Sequence, residues 1–216
     1  MVPVGTDTGP PGHASDDGGM GDAYHDGSRA LQDRFDTRRL ADRLQEMFRS
    51  KWTLEEVRPF IEAAPMFFLA TADREGHPQC SYKGGAPGFV QILAPMELCF
   101  PSYDGNGMFL SFGNVLENPH IQMLFIDFEQ PNRIRVSGRA TVTDDPALLA
   151  RYPGALFAIH VEVDDVFPNC PRYIHRSNGH ELSVNVPDDT GAAPIAEWKC
   201  MPMFNEVLAA DDPARA

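Results

Sequence analysis

Basic residues are scarce in this chain: 18 lysines and arginines face 31 acids over 216 residues, a formal net charge of -13. Nucleic acid and anionic membrane surfaces both reward Lys and Arg, so the balance argues against either as a partner. Much of the surplus sits at the ends, with six acids against two bases in residues 1–34 and the same again in 185–216. Cysteine is sparse as well. Cys80, Cys99, Cys170 and Cys200 form no CxxC pair, which fits reduced thiols better than a secreted disulfide scaffold. No apolar run approaches the length of a membrane span, and the N-terminus lacks a basic-then-apolar leader pattern. A soluble cytoplasmic protein is expected. A phosphate-binding P-loop is absent, as is a GxSxG nucleophile motif. Cys170, His175 and His180 match no common zinc spacing, so no metal is expected.

What is present is a core. The hydrophobic fraction of 43% supports one good-sized domain with tails. Residues 1–33 are rich in Gly, Pro, Asp and Ser and cannot bury enough apolar surface to offset their ordering entropy, so they are predicted to be structureless. A folded domain is expected over 34–184 and a loosely ordered acidic segment over 185–216, with an apolar island at Trp198–Phe204. From Asp36 the pattern turns helical, with Leu40, Leu44, Met47 and Phe48 on one face. Thr53-Leu54-Glu55-Glu56 has the form of a capping box for a second helix, which Pro59 should kink or shorten and Pro65 should stop.

Strand-like runs follow: Met66–Thr71, His77–Tyr82, Phe89–Leu93, Leu98–Phe100, Ile121–Phe128, Ile134–Val142 and Phe157–Val163. Each is short and bounded by Gly, Pro, Asn or Asp, the signature of a mainly β, small antiparallel barrel with short flanking helices. Arg133–Val142 alternates basic or small residues with apolar ones, the clearest period-two run in the chain.

Three places could carry chemistry. In Asp104–Asn114 the glycines let a backbone approach a ligand closely, and Asn106, Ser111 and Asn114 can hold a phosphate or a heterocycle edge without adding charge. On local grounds alone, Asp104-Gly105-Asn106-Gly107 reads first as a bare hairpin turn. Lys83, between Ser81-Tyr82 and two glycines, could reach a phosphate or simply end a strand in solvent. Arg172-Tyr173-Ile174-His175-Arg176 suits an anionic substrate, with His175 available for proton transfer, or is a solvated basic turn.

Taken in order, several segments resemble the pyridoxamine 5′-phosphate oxidase-like superfamily of FMN-binding split barrels. They are Phe67–Asp73, Gly76–Gln79, Ser81–Gly85, Phe100–Gly107, Ser111–Asn114, Asn118–His120, Leu124–Phe128 and Arg135–Ala140. The resemblance covers about Leu54 to Arg176. It implies a six-stranded Greek-key split barrel that dimerises, with FMN in clefts between subunits and a flavin oxidoreductase acting on a small molecule. By position, Ser81, Tyr82 and Lys83 would border the flavin. Asn106, Gly107, Ser111 and Asn114 would border its ribityl phosphate or ring edge, and Arg172, His175 and Arg176 would meet substrate at the mouth.

The departures imply a relative with another substrate. The oxidases carry Ser-Arg-Lys where this chain has Phe109-Leu110-Ser111, and an Arg-x-His-x-Arg signature where the histidine here is displaced by one. On the same barrel, a flavin or haem carrier, sensor or haem-degrading protein is the alternative, with His77, His120, His160 or His175 as axial ligand. A deazaflavin-dependent reductase is another, though it would want a broader basic groove.

Overall fold

The computed structural model describes residues 24–39, 41–42, 45, 52–169, 174, 187–192, 194–195, 200, 202 and 213–214. The chain divides into two compact units, Met1–Glu46 and Met47–Ala216. In the first, helix α1 spans Asp26–Arg34, where composition alone predicts structureless chain as far as residue 33. The Gly/Pro-rich composition ends at Gly27, and Arg-Ala-Leu-Gln-Asp-Arg is a run of good helix formers apart from its aspartate. His25 caps the helix by accepting from Ser28 N, and Arg29 reaches Asp42 at 2.5 Å. No residue of α1 is buried, so local bonds rather than packing hold it. Arg38, Arg39, Ala41, Asp42 and Gln45 are helical, while the apolar face expected at Leu40, Leu44, Met47 and Phe48 lies outside the described residues.

In the second unit, α2 (Leu54–Ala63) begins with the expected capping box, the Glu56 carboxylate accepting from Thr53 N at 2.7 Å. Leu54, Val57 and Ile61 bury one face. Pro59 is tolerated inside the helix on its solvent side, and the helix ends at Ala63, before Pro65.

Seven strands follow: β1 (Met66–Ala72), β2 (Pro78–Gly84), β3 (Gln91–Ala94), β4 (Glu97–Ser102), β5 (His120–Asp127), β6 (Asn132–Thr143) and β7 (Phe157–Asn169). Helix α3 (Leu110–Glu117) lies between β4 and β5, and the single turn α4 (Pro146–Leu149) precedes β7. The strands form one antiparallel sheet in the order β2-β1-β5-β6-β7-β4-β3. Seven differs from the six that the resemblance implies. Short β2 and β3 are the two edges, and four-residue β3 pairs only with β4 and through a bulge.

The sheet does not lie flat. Phe67 on β1 and Phe100 on β4 are four places apart in the order, about 19 Å in a flat sheet. Their ring centroids stand 5.0 Å apart, edge to face, and Phe125 of β5 comes within 5.2 Å of Phe67. The sheet therefore curls around one core, to which every strand but β2 contributes fully buried or nearly buried side chains. A satellite cluster packs Tyr152 on Cys99, the tyrosine hydroxyl donating to Cys99 O at 3.0 Å. Burial pushes both the thiol and the phenol pKa up, which makes Cys99 an inert packing group rather than a nucleophile.

Two side-chain-sized details set the geometry of the sheet. The β6–β7 register shifts between Ser137 and Gly138, and a Cβ on Gly138 would lie 2.3 Å from Glu162 O. Backbone cannot swing aside as a side chain can, so Gly138→Ala is expected to destabilise the fold by about 1–3 kcal/mol, read as a lower urea midpoint. At the β1–β2 turn, His77 Nδ1 meets an Asp73 carboxylate oxygen at 2.9 Å, and His77 N donates to the same group. The hydrogen bond to Asp73, then its charge, raises the His77 pKa above 6.5, and the bonds from His77 lower that of Asp73 below 3.8. Each contribution has its own window. That of His77 is full below pH 6.5 and is lost as pH rises through its raised value. That of Asp73 is full above pH 3.8 and is lost as pH falls through its depressed value. In Asp73→Asn the His77 titration followed by NMR should move back toward 6.5; an unmoved midpoint would show that the pair is not formed in solution.

Candidate functional site

Strand alternation builds one wall of the site. On β2, Gln79, Ser81 and Lys83 share a face and line a cleft of about 210 Å³. The opposite wall comes from Ser102 and Tyr103 at the end of β4, the Gly105–Phe109 loop and the first turn of α3. The loop is shaped locally: Asn106 Oδ1 accepts from Met108 N at 3.0 Å, and Gly107 takes φ 72°, the left-handed region that glycine adopts without strain.

Phe109 caps α3 in the same left-handed region at φ 48°, an uncommon conformation for an aromatic residue. No side chain caps this end. The first intrahelical bond here is Gly113 N to Phe109 O, so the N–H groups of Leu110, Ser111 and Phe112 have no partner within the helix. The positive end of the helix dipole thus borders the cleft.

Lys83 completes the arrangement. Its Nζ donates to Ser111 Oγ at 3.3 Å and lies 4.5 Å from the centroid of the Phe112 ring. Ser81 and Ser111 share a hydrogen bond of 2.9 Å. Among the described residues no carboxylate pairs with Lys83, and burial alone lowers its pKa from 10.5. One half-buried cation, two hydroxyls and an open helix end converge. Chemically this is a cradle for an anion with several oxygen atoms.

The structure brings together Ser81, Lys83, Asn106, Gly107 and Ser111 of the residues expected from sequence. Tyr82 stands on the other face of β2, 62% exposed and against Phe68, because neighbours in a strand point opposite ways. Asn114, one turn beyond Ser111, donates to Thr71 Oγ1 at 3.1 Å rather than lining the cleft. Thr71 in turn donates to Gln79, so Asn114 steadies the cleft wall indirectly. Arg172, His175 and Arg176 lie outside the described residues.

Gln79, Ser102, Tyr103 and Phe112 line the cleft without having been singled out from sequence. Gln79 follows from the period of β2, two and four residues from Ser81 and Lys83. The others depend on how α3 meets β4, which no local pattern reveals. Of the histidines considered as haem ligands, His77 is held by Asp73 and His160 pairs with Glu97 at 3.3 Å. Among the described residues no histidine lines the cleft. Asp73, Glu75 and His77 bring ligand atoms within 4.8 Å of one another, but they form the β1–β2 turn, where the Asp73–His77 bonds account for them.

A family model described as pyridoxamine 5′-phosphate oxidase matches residues 53–167, the span that holds the whole sheet up to β7 and the whole cleft. The chain belongs to that family. No curated protein matches it. Among solved structures it is similar to HupZ of Group A Streptococcus, at 16% identity and a TM-score of 0.43, over 57% of this chain and 98% of that one. General Stress Protein 26 from Bacillus anthracis is similar at 15% identity and a TM-score of 0.41, over 53% and 91%. HutZ, the heme storage protein from Vibrio cholerae, is similar at 16% and 0.36, over 55% and 92%. Among the described residues no helix is long and apolar enough to cross a membrane.

The cleft makes its own titration testable. Lys83 is expected to titrate below 10.5, the ordinary lysine value, in the ligand-free protein. NMR of the assigned Lys83 side chain reads this directly, and a midpoint at or above 10.5 would mean that the ammonium is fully hydrated or paired.

Proposed function

We propose that this chain is an FMN-dependent oxidoreductase acting on a small-molecule substrate. In this reading it is a cytoplasmic homodimer of Greek-key split barrels with a flavin cleft between subunits. The observation that carries the proposal is the uncompensated Lys83 ammonium, set beside the Ser81 and Ser111 hydroxyls and the open N-terminus of α3. A phosphate monoester fits that donor set: it brings the charge Lys83 lacks and the acceptors the hydroxyls and N–H groups require. The Ser-Arg-Lys of the oxidases is replaced here by hydroxyl, backbone and a single lysine.

Bound FMN supplies the hydride and electron transfer. The chain's own residues do the rest. Lys83, Ser81 and Ser111 hold the phosphate, Asn106 shapes the loop that closes over it, and Phe112 backs the lysine and keeps water from its underside. The cleft of one chain, about 210 Å³, is below the range of about 300–1,000 Å³ typical of whole-ligand pockets. Met108, Phe109 and Leu110 of its lining are nonetheless exposed, as is Leu116 farther along α3, by 76%. A second copy laid on these apolar residues would cover them and supply the missing wall. His175 as proton donor and Arg172 and Arg176 as substrate anchors remain part of the proposal, which does not depend on them.

The test is the absorption spectrum of the purified protein, identification of the released chromophore by mass, and FMN titration. About one FMN per subunit is expected. Lys83→Ala should weaken FMN binding about 10- to 100-fold, the loss of a charge-assisted contact worth about 1.5–3 kcal/mol. Unchanged FMN affinity in that variant, or a haem or deazaflavin chromophore in the wild type, would overturn the proposal.

A further inference from the structure

Among the described residues, the buried polar side chains gather at one place. They are Thr71, Ser102 and Ser111; the two serines line the cleft, and Thr71 touches a residue that does. Thr71 is 5% exposed and shares the core side of β1 with Phe67 and Leu69. Valine would fill that space as well, and burying a hydroxyl is unfavourable unless its hydrogen bonds are made. Here they are made. Thr71 Oγ1 accepts from Asn114 Nδ2 at 3.1 Å and donates to Gln79 Oε1 at 3.3 Å.

This short chain has a direction. A hydroxyl carries one proton, so a threonine that accepts from Asn114 has that proton left for the Gln79 carbonyl oxygen. With its oxygen so held, the Gln79 amide turns its NH2 group away from Thr71. Gln79 lines the cleft, and its Nε2 has no partner among the described residues and is not sealed off. The group therefore offers N–H donors to whatever fills the cleft. Its backbone is fixed as well, since Gln79 is in register with Thr71 across the β1–β2 ladder.

Position along the strand separates this donor from the phosphate cradle. Gln79, Ser81 and Lys83 share one face of β2, and Gln79 lies four residues, about 14 Å, from Lys83. A ligand whose phosphate is held at Lys83 meets Gln79 with a different part of itself.

We propose that Gln79 is a specificity-determining residue of the cleft, its Nε2 donating to a carbonyl or unprotonated ring nitrogen of the flavin heterocycle. Thr71 and Asn114 are the positioning residues that aim it. The inference rests on the flavin reading above and assigns a ring contact that the phosphate cradle does not supply. A heterocycle edged with acceptors satisfies the amide; one that offers only N–H or O–H donors there leaves it unpaired.

Riboflavin shares the ring of FMN and lacks its phosphate, so it separates the two ends of the cleft. The experiment measures the affinity of the full chain and its variants for FMN and for riboflavin by flavin fluorescence. Gln79→Leu should weaken both flavins by the same factor, about three- to tenfold, the loss of one hydrogen bond. Gln79→Glu keeps the size and the acceptor for Thr71 but has no N–H to give, so it should weaken riboflavin at least as much. Lys83→Ala should weaken FMN far more than riboflavin. Thr71→Val should reproduce part of the Gln79→Leu loss, and Thr71→Ser should restore it; circular dichroism checks the fold of each. In the wild type the Gln79 side-chain amide resonance should move when FMN is added. FMN affinity unchanged in Gln79→Leu, or riboflavin affinity kept or raised in Gln79→Glu, overturns this assignment and leaves the flavin reading standing. Wild-type affinity in Thr71→Val overturns the positioning role. A wild type that binds neither flavin overturns both readings.

Discussion

The contact of Phe67 with Phe100 and Phe125 is the constraint on which the rest of the second unit depends. It joins β1, β4 and β5 across the interior and holds a seven-stranded sheet in a curl. Apolar burial supplies the driving force, and the aromatic edges select the angle at which the strands meet. Once β1 and β4 are so held, the end of β4 and the start of α3 stand opposite β2. The cleft is a consequence of that core rather than a separate construction.

Charge tells a complementary story. The chain is acidic and most described arginines meet neighbouring carboxylates; among the described residues Arg34 and Arg151 are exposed without one, and three further cations lack one without being exposed, Lys83 in the cleft and Arg133 and Arg135 on β6. Each is half-buried, where an unpaired cation is disfavoured. Folding tolerates such positions at a cost to stability, which the proposed phosphate offsets at Lys83.

Much of the strand pattern is legible in the residues. The seven short apolar runs correspond to the seven strands, with ends extended by a few residues where pairing continues past the apolar core, as β7 continues to Asn169. The capping box at Thr53 and the stop at Pro65 are local chemistry and appear as expected. Helix α1 was hidden by the Gly- and Asp-rich composition around it, because its bonds to Asp42 and Arg38 involve residues beyond the window that composition samples. In the cleft, Ser81 and Lys83 share a face by the period of two, and the same period turns Tyr82 away.

The sequence by itself determined where strands and turns would lie and which motifs place the chain in its family, since alternation, capping and turn chemistry act over a few residues. It also carried Lys83, Asn106, Gly107 and Ser111 as candidates, but with a bare hairpin turn and a solvent lysine as competing readings. Only the tertiary structure gathers them at one cleft, with Lys83 half-buried rather than in open solvent. Lys83 and Ser111 are 28 residues apart, and whether they meet depends on the curl of the sheet and on the angle of α3. The same holds for Arg133 and Arg135, whose lack of partners is a property of everything packed around β6. Local patterns reveal which residues could act; long-range packing fixes what surrounds them, and with it their charge, burial and neighbours.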